Sequence, residues 1–182
     1  VRSLAFGMCV SMLAHAEFAI SAVAEEGTAD QKKRYLPEAV RGKTIWGLGL
    51  TEPDHGSDVA GIRTTAVKKG DRYVISGSKT FITNGTIADY ITLAVRTGGP
   101  GKGGISLMIL PTATKGFSVG KRIEKIAARS SDTGLLFFED CEVSAENLIG
   151  EEGRGFYYIM KHFQGERLVL ASFANGLMQI LW

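Results

Sequence analysis

Three places in this chain combine residue types that could do chemistry. The first is Leu48-Gly49-Leu50-Thr51-Glu52-Pro53-Asp54-His55-Gly56-Ser57-Asp58, where a strand runs into a loop containing Pro53 and Gly56. Such a loop can aim backbone N–H groups and the Thr51 and Ser57 hydroxyls at an anion or at the polar edge of a ring. The same residues also suit a surface turn held by its own Asp and Ser side chains. The second place is Lys79-Thr80-Phe81-Ile82-Thr83-Asn84-Gly85. Asn84-Gly85 marks a turn, and Phe81 and Thr83, on either side of Ile82, share one face of a strand. An aromatic plane beside a hydroxyl could hold a flat heteroaromatic ring. A plain hairpin strand with a half-buried Phe would carry the same residues. The third place is Glu166, within Phe163-Gln164-Gly165-Glu166-Arg167. Gly165 is expected to interrupt a helix, which puts Glu166 in the first turn of the next one, where the dipole favours a carboxylate. Burial would act the other way and raise its pKa. A first-turn glutamate chosen for helix stability, paired to Arg167, would read the same.

Other chemistries find less support. His15, His55 and His162 have no metal-ligand spacing, so no metal site is expected. Cys9 and Cys141 are far apart and form no CxxC pair, which argues against a disulfide framework and fits a reducing compartment. No Ser–His–Asp arrangement can be read from position alone. The glycine-rich run 98–104 lacks the Lys-[Ser/Thr] ending of a phosphate loop and reads as a flexible hairpin. Glu151-Glu152 reads as a solvated pair. The net charge of +2 is too small for a nucleic-acid binder, and the only basic cluster is Lys32-Lys33-Arg34.

The elements that would position these residues differ in texture along the chain. With 45% hydrophobic and 22% charged residues, its 182 residues can bury a substantial core. Residues 1–43 read as helical. The run 4–24 is nearly all apolar or small, but His15 and Glu17 interrupt it, and a charge at mid-bilayer is costly. A buried core helix is therefore expected, not a membrane span or a signal peptide. Thr28-Ala29-Asp30-Gln31 has the form of a capping box, and the helix it starts is expected to break at Pro37. Residues 44–150 turn to short strands, at 46–51, 64–68, 73–76, 90–96, 105–110 and 134–138, with glycine-rich turns between them. That pattern suggests an antiparallel sandwich or barrel. From 151 to 182 helical texture returns, with Phe156, Ile159, Met160 and Phe163 forming one apolar stripe. The order is helix, β, helix, and the fold class α+β. The chain starts at Val1 and stops at Trp182 inside an apolar helical run, so it reads as part of a longer protein.

Thr51-Glu52-Pro53 with Gly56-Ser57-Asp58, followed by Lys79-x-Phe81-Ile82-Thr83-Asn84-Gly85, resembles the middle β-domain of the acyl-CoA dehydrogenase family. Residues 27–41 are similar to that family's lead-in to the β-domain. Residues 125–133, with Arg129-Ser130-Ser131-Asp132-Thr133, are similar to a later strand motif. Phe138-Glu139-Asp140-Cys141-Glu142-Val143 and Glu146-Asn147-Leu148-Ile149-Gly150 resemble its exit, and Gly153-Arg154-Gly155-Phe156 the start of the next helix. Ala127 stands where the family often has glycine. The resemblance implies the end of an N-terminal helical domain (1–43), a middle antiparallel β-barrel domain (44–150) and the beginning of a C-terminal helical bundle (151–182).

The resemblance also implies FAD as cofactor and an acyl-CoA thioester as substrate. It places Leu48, Leu50 and Thr51 at the flavin pyrimidine edge, and Gly56 and Ser57 at the pyrophosphate, with Ser57 also near the CoA arm. Phe81 would pack on the isoalloxazine face, with Ile82 beside it, and Thr83 would hydrogen-bond near flavin N5, where a donor favours developing charge. The reaction implied is α,β-dehydrogenation to a trans-2-enoyl-CoA, with hydride passing to N5 and the α-proton to a desolvated carboxylate. Glu-Arg-Leu-x-x-Ala at 166–171 resembles the isovaleryl and long-chain branches, in which the base lies on this helix. That makes Glu166 the expected base and Arg167 a substrate-positioning residue. A homotetramer, an electron-transfer flavoprotein as acceptor, and a soluble home in cytoplasm or mitochondrial matrix complete the expectation. A same-fold flavin oxidase or monooxygenase, or a non-catalytic acyl-CoA-binding relative, would share most of these motifs.

Overall fold

The computed structural model describes the backbone of residues 2–181 and the side chains of residues 6–179. The chain opens with α1 (Arg2–Leu13), a π-helical turn (Ala14–Ala19) and α2 (Ser21–Glu26). By length and composition the stretch Phe6–Glu26 could cross a bilayer. In the fold it packs on the sheet and on the C-terminal helix through Ala14, Ala19, Ala22 and Val23. It is less buried than expected, since Met8 and Met12 stay exposed. His15 in the π-helical turn fastens it down. Its Nδ1 accepts from the Trp46 N–H at 3.1 Å, which leaves Nε2 to donate to the Ala39 carbonyl at 3.1 Å.

Helix α3 (Ala29–Val40) begins at the capping box, with Thr28 and Gln31 bonded reciprocally. It does not break at Pro37 but runs on to Val40. Pro37 lies on the exposed face with Lys33, one turn back, whose carbonyl loses its i+4 donor, while Gln31, Tyr35 and Ala39 form the buried stripe. Water can serve that carbonyl, so the usual cost of an interior proline is reduced.

Eight strands follow: β1 (Trp46–Gly49), β2 (Thr65–Lys69), β3 (Arg72–Thr83), β4 (Tyr90–Arg96), β5 (Ile105–Pro111), β6 (Phe117–Arg122), β7 (Thr133–Ser144) and β8 (Leu148–Ile149). They form one sheet in the order β6-β7-β3-β2-β4-β5-β8, with β1 branching from β4. The expected antiparallel barrel is not formed. The sheet is open, and it is mixed, because β1 runs parallel to β4 and β2 meets β4 in parallel at Thr65 and Arg96. β6 and β8 had no signal in the sequence reading. β6 is mostly exposed and glycine-interrupted, and β8 has only two residues.

Two cores result, one on each side of the central strands. Ile105, Leu107 and Ile109 of β5 join Trp46, Val23, Tyr35 and Ile159 on the helical side. Met108 and Leu110 of the same strand join Ile75, Ile91, Leu93, Leu136 and Phe138 on the other. Strands buried on both faces read as continuous apolar runs, which is why β4 and β5 were plain in the sequence. The chain ends in α4 (Gly155–Leu181), a single helix of 27 residues. Gly165 does not break it. Glu166 therefore lies in mid-helix, and the first-turn dipole argument does not apply to it.

Candidate active site

The expected ligand-gripping residues fall in two adjoining places. β1 ends at Gly49, and residues 50–58 leave the sheet beside β3. Close approach is possible because Gly47 has no side chain: a Cβ there would sit 3.0 Å from the Thr83 carbonyl oxygen. The Thr80 N–H donates to the Thr51 carbonyl at 2.8 Å, joining the two stretches directly. Glu52 and His55 exchange backbone hydrogen bonds and close a tight turn with Pro53 and Asp54 at its crest, and Gly56 and Ser57 follow it, exposed. The Thr51 N–H has no acceptor among the described residues. A Cβ on Gly56 would meet nothing within 4 Å, and its φ is not left-handed. Neither packing nor conformation within the chain calls for glycine there; close approach of a ligand to the backbone would.

β3 carries the second half of the site. Its pairing with β7 slips between Lys79 and Ile82, so Lys79, Thr80 and Ile82 are buried while Phe81 is turned outward, 65% exposed. Phe81 has φ +58° and the neighbouring Asn84 φ +63°. Asn84 is suited to that conformation, but a bulky aromatic is not. A bulge holding an aromatic ring in open space at a backbone cost marks a position kept for what it presents. Thr83, two residues on, is half-buried. Asn84 braces the turn beyond it, its amide donating to the carbonyls of Ser11 and Trp46 at 2.9 and 3.1 Å.

Beneath this surface lies a buried ion pair that the sequence reading did not assign. Lys79 Nζ reaches Glu52 Oε1 at 2.8 Å and the Leu50 carbonyl at 3.0 Å, with no exposed side-chain surface on the lysine. The Glu52 carboxylate also accepts from the Arg63 N–H at 2.6 Å and the Thr64 N–H at 2.9 Å. Burial pulls the Lys79 ammonium down to about 8, held against further loss by Glu52. Burial alone would raise Glu52, but the Lys79 charge and these hydrogen bonds outweigh it and hold the carboxyl below its usual range. The signal was present in the alternation of β3. Tyr73 and Ile75 point inward, so Lys79 does too, and an inward lysine needs an acid.

Glu166 stands apart from these residues. It lies on α4, which packs against the π-helical turn, α2 and β5. Burial pushes its carboxyl up to about 7, and the Glu17 carboxylate on the π-helical turn adds to the rise. Among the described residues it makes no ion pair, with Arg167 or any other cation, and no hydrogen bond joins it to residues 48–57 or 81–83. Arg167 is exposed. Glu25, Glu26 and His162 come close enough to suggest a metal site, but Lys161 already occupies it, 2.8 and 2.9 Å from the two glutamates.

Comparison with known proteins follows the same lines. The family model for the middle domain of acyl-CoA dehydrogenases matches residues 47–141. The short-chain specific acyl-CoA dehydrogenase of Clostridium acetobutylicum is 43% identical over 171 residues, which is 93% of this chain and 45% of that protein. The mitochondrial isovaleryl-CoA dehydrogenase of Pongo abelii is 40% identical over 169 residues, 91% of this chain and 40% of its own length. The crystal structure of acyl-CoA dehydrogenase from Geobacillus kaustophilus superposes with a TM-score of 0.86 at 47% identity, over 89% of this chain and 43% of that one. The chain thus spans less than half the length of the relatives it matches. An exposed aromatic on a strained bulge, a loop with an exposed glycine beside it and this sequence match agree: the chain belongs to the acyl-CoA dehydrogenase family.

Proposed function

We propose that the protein carrying this chain is an FAD-dependent acyl-CoA dehydrogenase that converts an acyl-CoA thioester to its trans-2-enoyl-CoA. The observation that carries the reading is Phe81, a bulky side chain held outward at positive φ next to Thr83 and the Leu50–Thr51 edge. The chain's residues fit the cofactor. Phe81 offers a flat apolar platform, the Thr51 N–H and Thr83 hydroxyl offer polar partners to a heteroaromatic ring, and the open backbone at Gly56 and Ser57 offers N–H groups to a pyrophosphate. The side chains of Leu50 and Ile82 are buried in opposite cores and Leu48 packs on the first, so these three would meet the ring through their backbone. When bound, FAD supplies the acceptor for the hydrogen and electrons that leave the β carbon.

The chain's own part in the chemistry is proton removal and orientation. Glu166 takes the α-proton at its carboxylate. A thioester α-C–H is weakly acidic, so the carboxylate must be desolvated and raised in basicity, and a pKa of about 7 meets that need near neutral pH. Ser57 and Arg167 steady the CoA thioester. Electrons leave to an electron-transfer flavoprotein, and the working assembly is a homotetramer. Anaerobic titration of the FAD-loaded protein with acyl-CoAs of graded length tests this. Bleaching of the oxidised flavin band is expected, deepest at the preferred chain length. A bound flavin that no acyl-CoA reduces would overturn the proposal. Rapid reoxidation in air would move it to an oxidase.

A further inference from the structure

Lys79 and Glu52 have no part in the chemistry proposed above, yet they form the one fully buried ion pair among the described residues. Removing two charges from water costs several kcal/mol per ion, roughly, before their attraction offsets it. Two apolar side chains would fill the same space without that cost. Besides Glu52, Lys79 touches the Leu50 carbonyl oxygen, at 3.0 Å. That oxygen and the Thr51 N–H are opposite ends of one planar amide. No peptide bond among the described residues is cis, so the N–H points away from the ammonium. The N–H donates to no described residue. A positive charge on the oxygen of an amide draws density from its nitrogen and strengthens the N–H as a donor, as linked hydrogen bonds polarise one another. The Glu52 carboxylate weakens this field without abolishing it, because the ammonium and not the carboxylate is the group in contact with the Leu50 oxygen.

We infer that Lys79 is a positioning residue acting through the Leu50–Thr51 peptide: its buried ammonium fixes that amide and makes the Thr51 N–H a strengthened donor to an electron-rich ring edge. The inference rests on the flavin reading of this site and adds a purpose for the pair. A strengthened donor favours the electron-rich reduced form of the ring over its oxidised form, as fixed dipoles favour developing negative charge.

The test replaces both partners, Lys79→Gln with Glu52→Gln, so that neutral hydrogen bonds remain and no lone charge is buried. The readout is the two-electron midpoint potential of FAD bound to the full protein, with circular dichroism and melting confirming the fold. The potential should fall by an amount equal to about a tenfold loss in preference for the reduced form, about 30 mV. An unchanged or higher potential in a folded, FAD-loaded variant overturns the inference and leaves the flavin reading standing. If the wild-type protein takes up no FAD at all, the flavin reading fails and this inference with it. A second measurement needs no variant. The Thr51 amide proton resonance should move downfield when wild-type protein takes up FAD, and a stationary resonance overturns the inference even if the double variant does not fold.

Discussion

Glu166 is where the proposed chemistry can be tested with least ambiguity. Glu166→Gln keeps the shape of the side chain and removes the base. FAD and acyl-CoA binding should persist while flavin reduction falls by roughly three orders of magnitude or more, as for loss of a principal catalytic group. Single-turnover reduction kinetics read this, and near-normal reduction would place the base elsewhere. The pH dependence follows from the raised carboxyl. Only the ionised form accepts the α-proton, so the reduction rate should climb through a midpoint near about 7. Stability moves the opposite way. A carboxyl raised in the folded state holds its proton more tightly there than in the unfolded chain, so its favourable contribution is complete below the ordinary pKa of 4.5 and is lost as pH rises through about 7. Glu166→Gln should therefore melt above wild type at pH 8, with the gap closing toward pH 5 (both values set roughly by that window). A gap that is constant with pH would show that Glu166 is not desolvated. Burial, the cause expected from the sequence, is the largest cause of the raised Glu166 pKa, whereas its expected place in the first turn of a helix was wrong. Its helix position came from treating Gly165 as a break.

At the scale of elements, Gly165 shows why that reading failed. Glycine costs a helix interior about 0.5–1 kcal/mol relative to alanine, which packing along the rest of a long helix easily offsets. α4 is anchored by Gly155 and Ile159 on the sheet, and a Cβ at Gly165 would meet nothing within 4 Å. Gly165→Ala should thus stabilise the protein by about 0.5–1 kcal/mol in chemical denaturation. A destabilised variant would mean that the helix bends there in use. The bulge in β3 makes the complementary case. Phe81 bears positive φ while burying little of its ring, so Phe81→Gly relieves strain and forfeits little packing. The apoprotein should gain about 1 kcal/mol of stability, and FAD affinity should drop. That trade of stability for function would distinguish a ligand platform from a core residue, whereas a destabilised apoprotein would identify Phe81 as packing. Strand existence was legible here. The slip that separates Lys79 from Ile82 was not, because a bulge adds one residue without leaving a composition signal.

At the scale of the molecule, the sequence conveyed the order helix, β, helix and the rich core strands, but not closure of the sheet. Closure depends on strand tilt and stagger around the whole ring, which no local pattern encodes. Here β6 ends one side of the sheet and β8 the other, and β1 leaves as a parallel branch from β4. What the sheet does not cover is equally uneven. The N-terminal part of α4 is seated on β5 and α2, while Leu168, Leu170 and Met178 along its later turns are 70%, 50% and 61% exposed. Apolar surface gathered on one helix is rarely left in water by a stable folded protein. Phe6 of α1 stacks on Phe173 of α4, and Met8 and Met12 of α1 are exposed as well. The 182-residue chain produced by itself should therefore self-associate. Sedimentation velocity should show species heavier than a monomer, and replacing Leu168, Leu170 and Met178 together with glutamate should shift them to monomer. Circular dichroism must stay unchanged for that result to count, since none of the three lies in either core. A wild-type chain that sediments as a clean monomer would mean that these side chains are covered within the chain in solution.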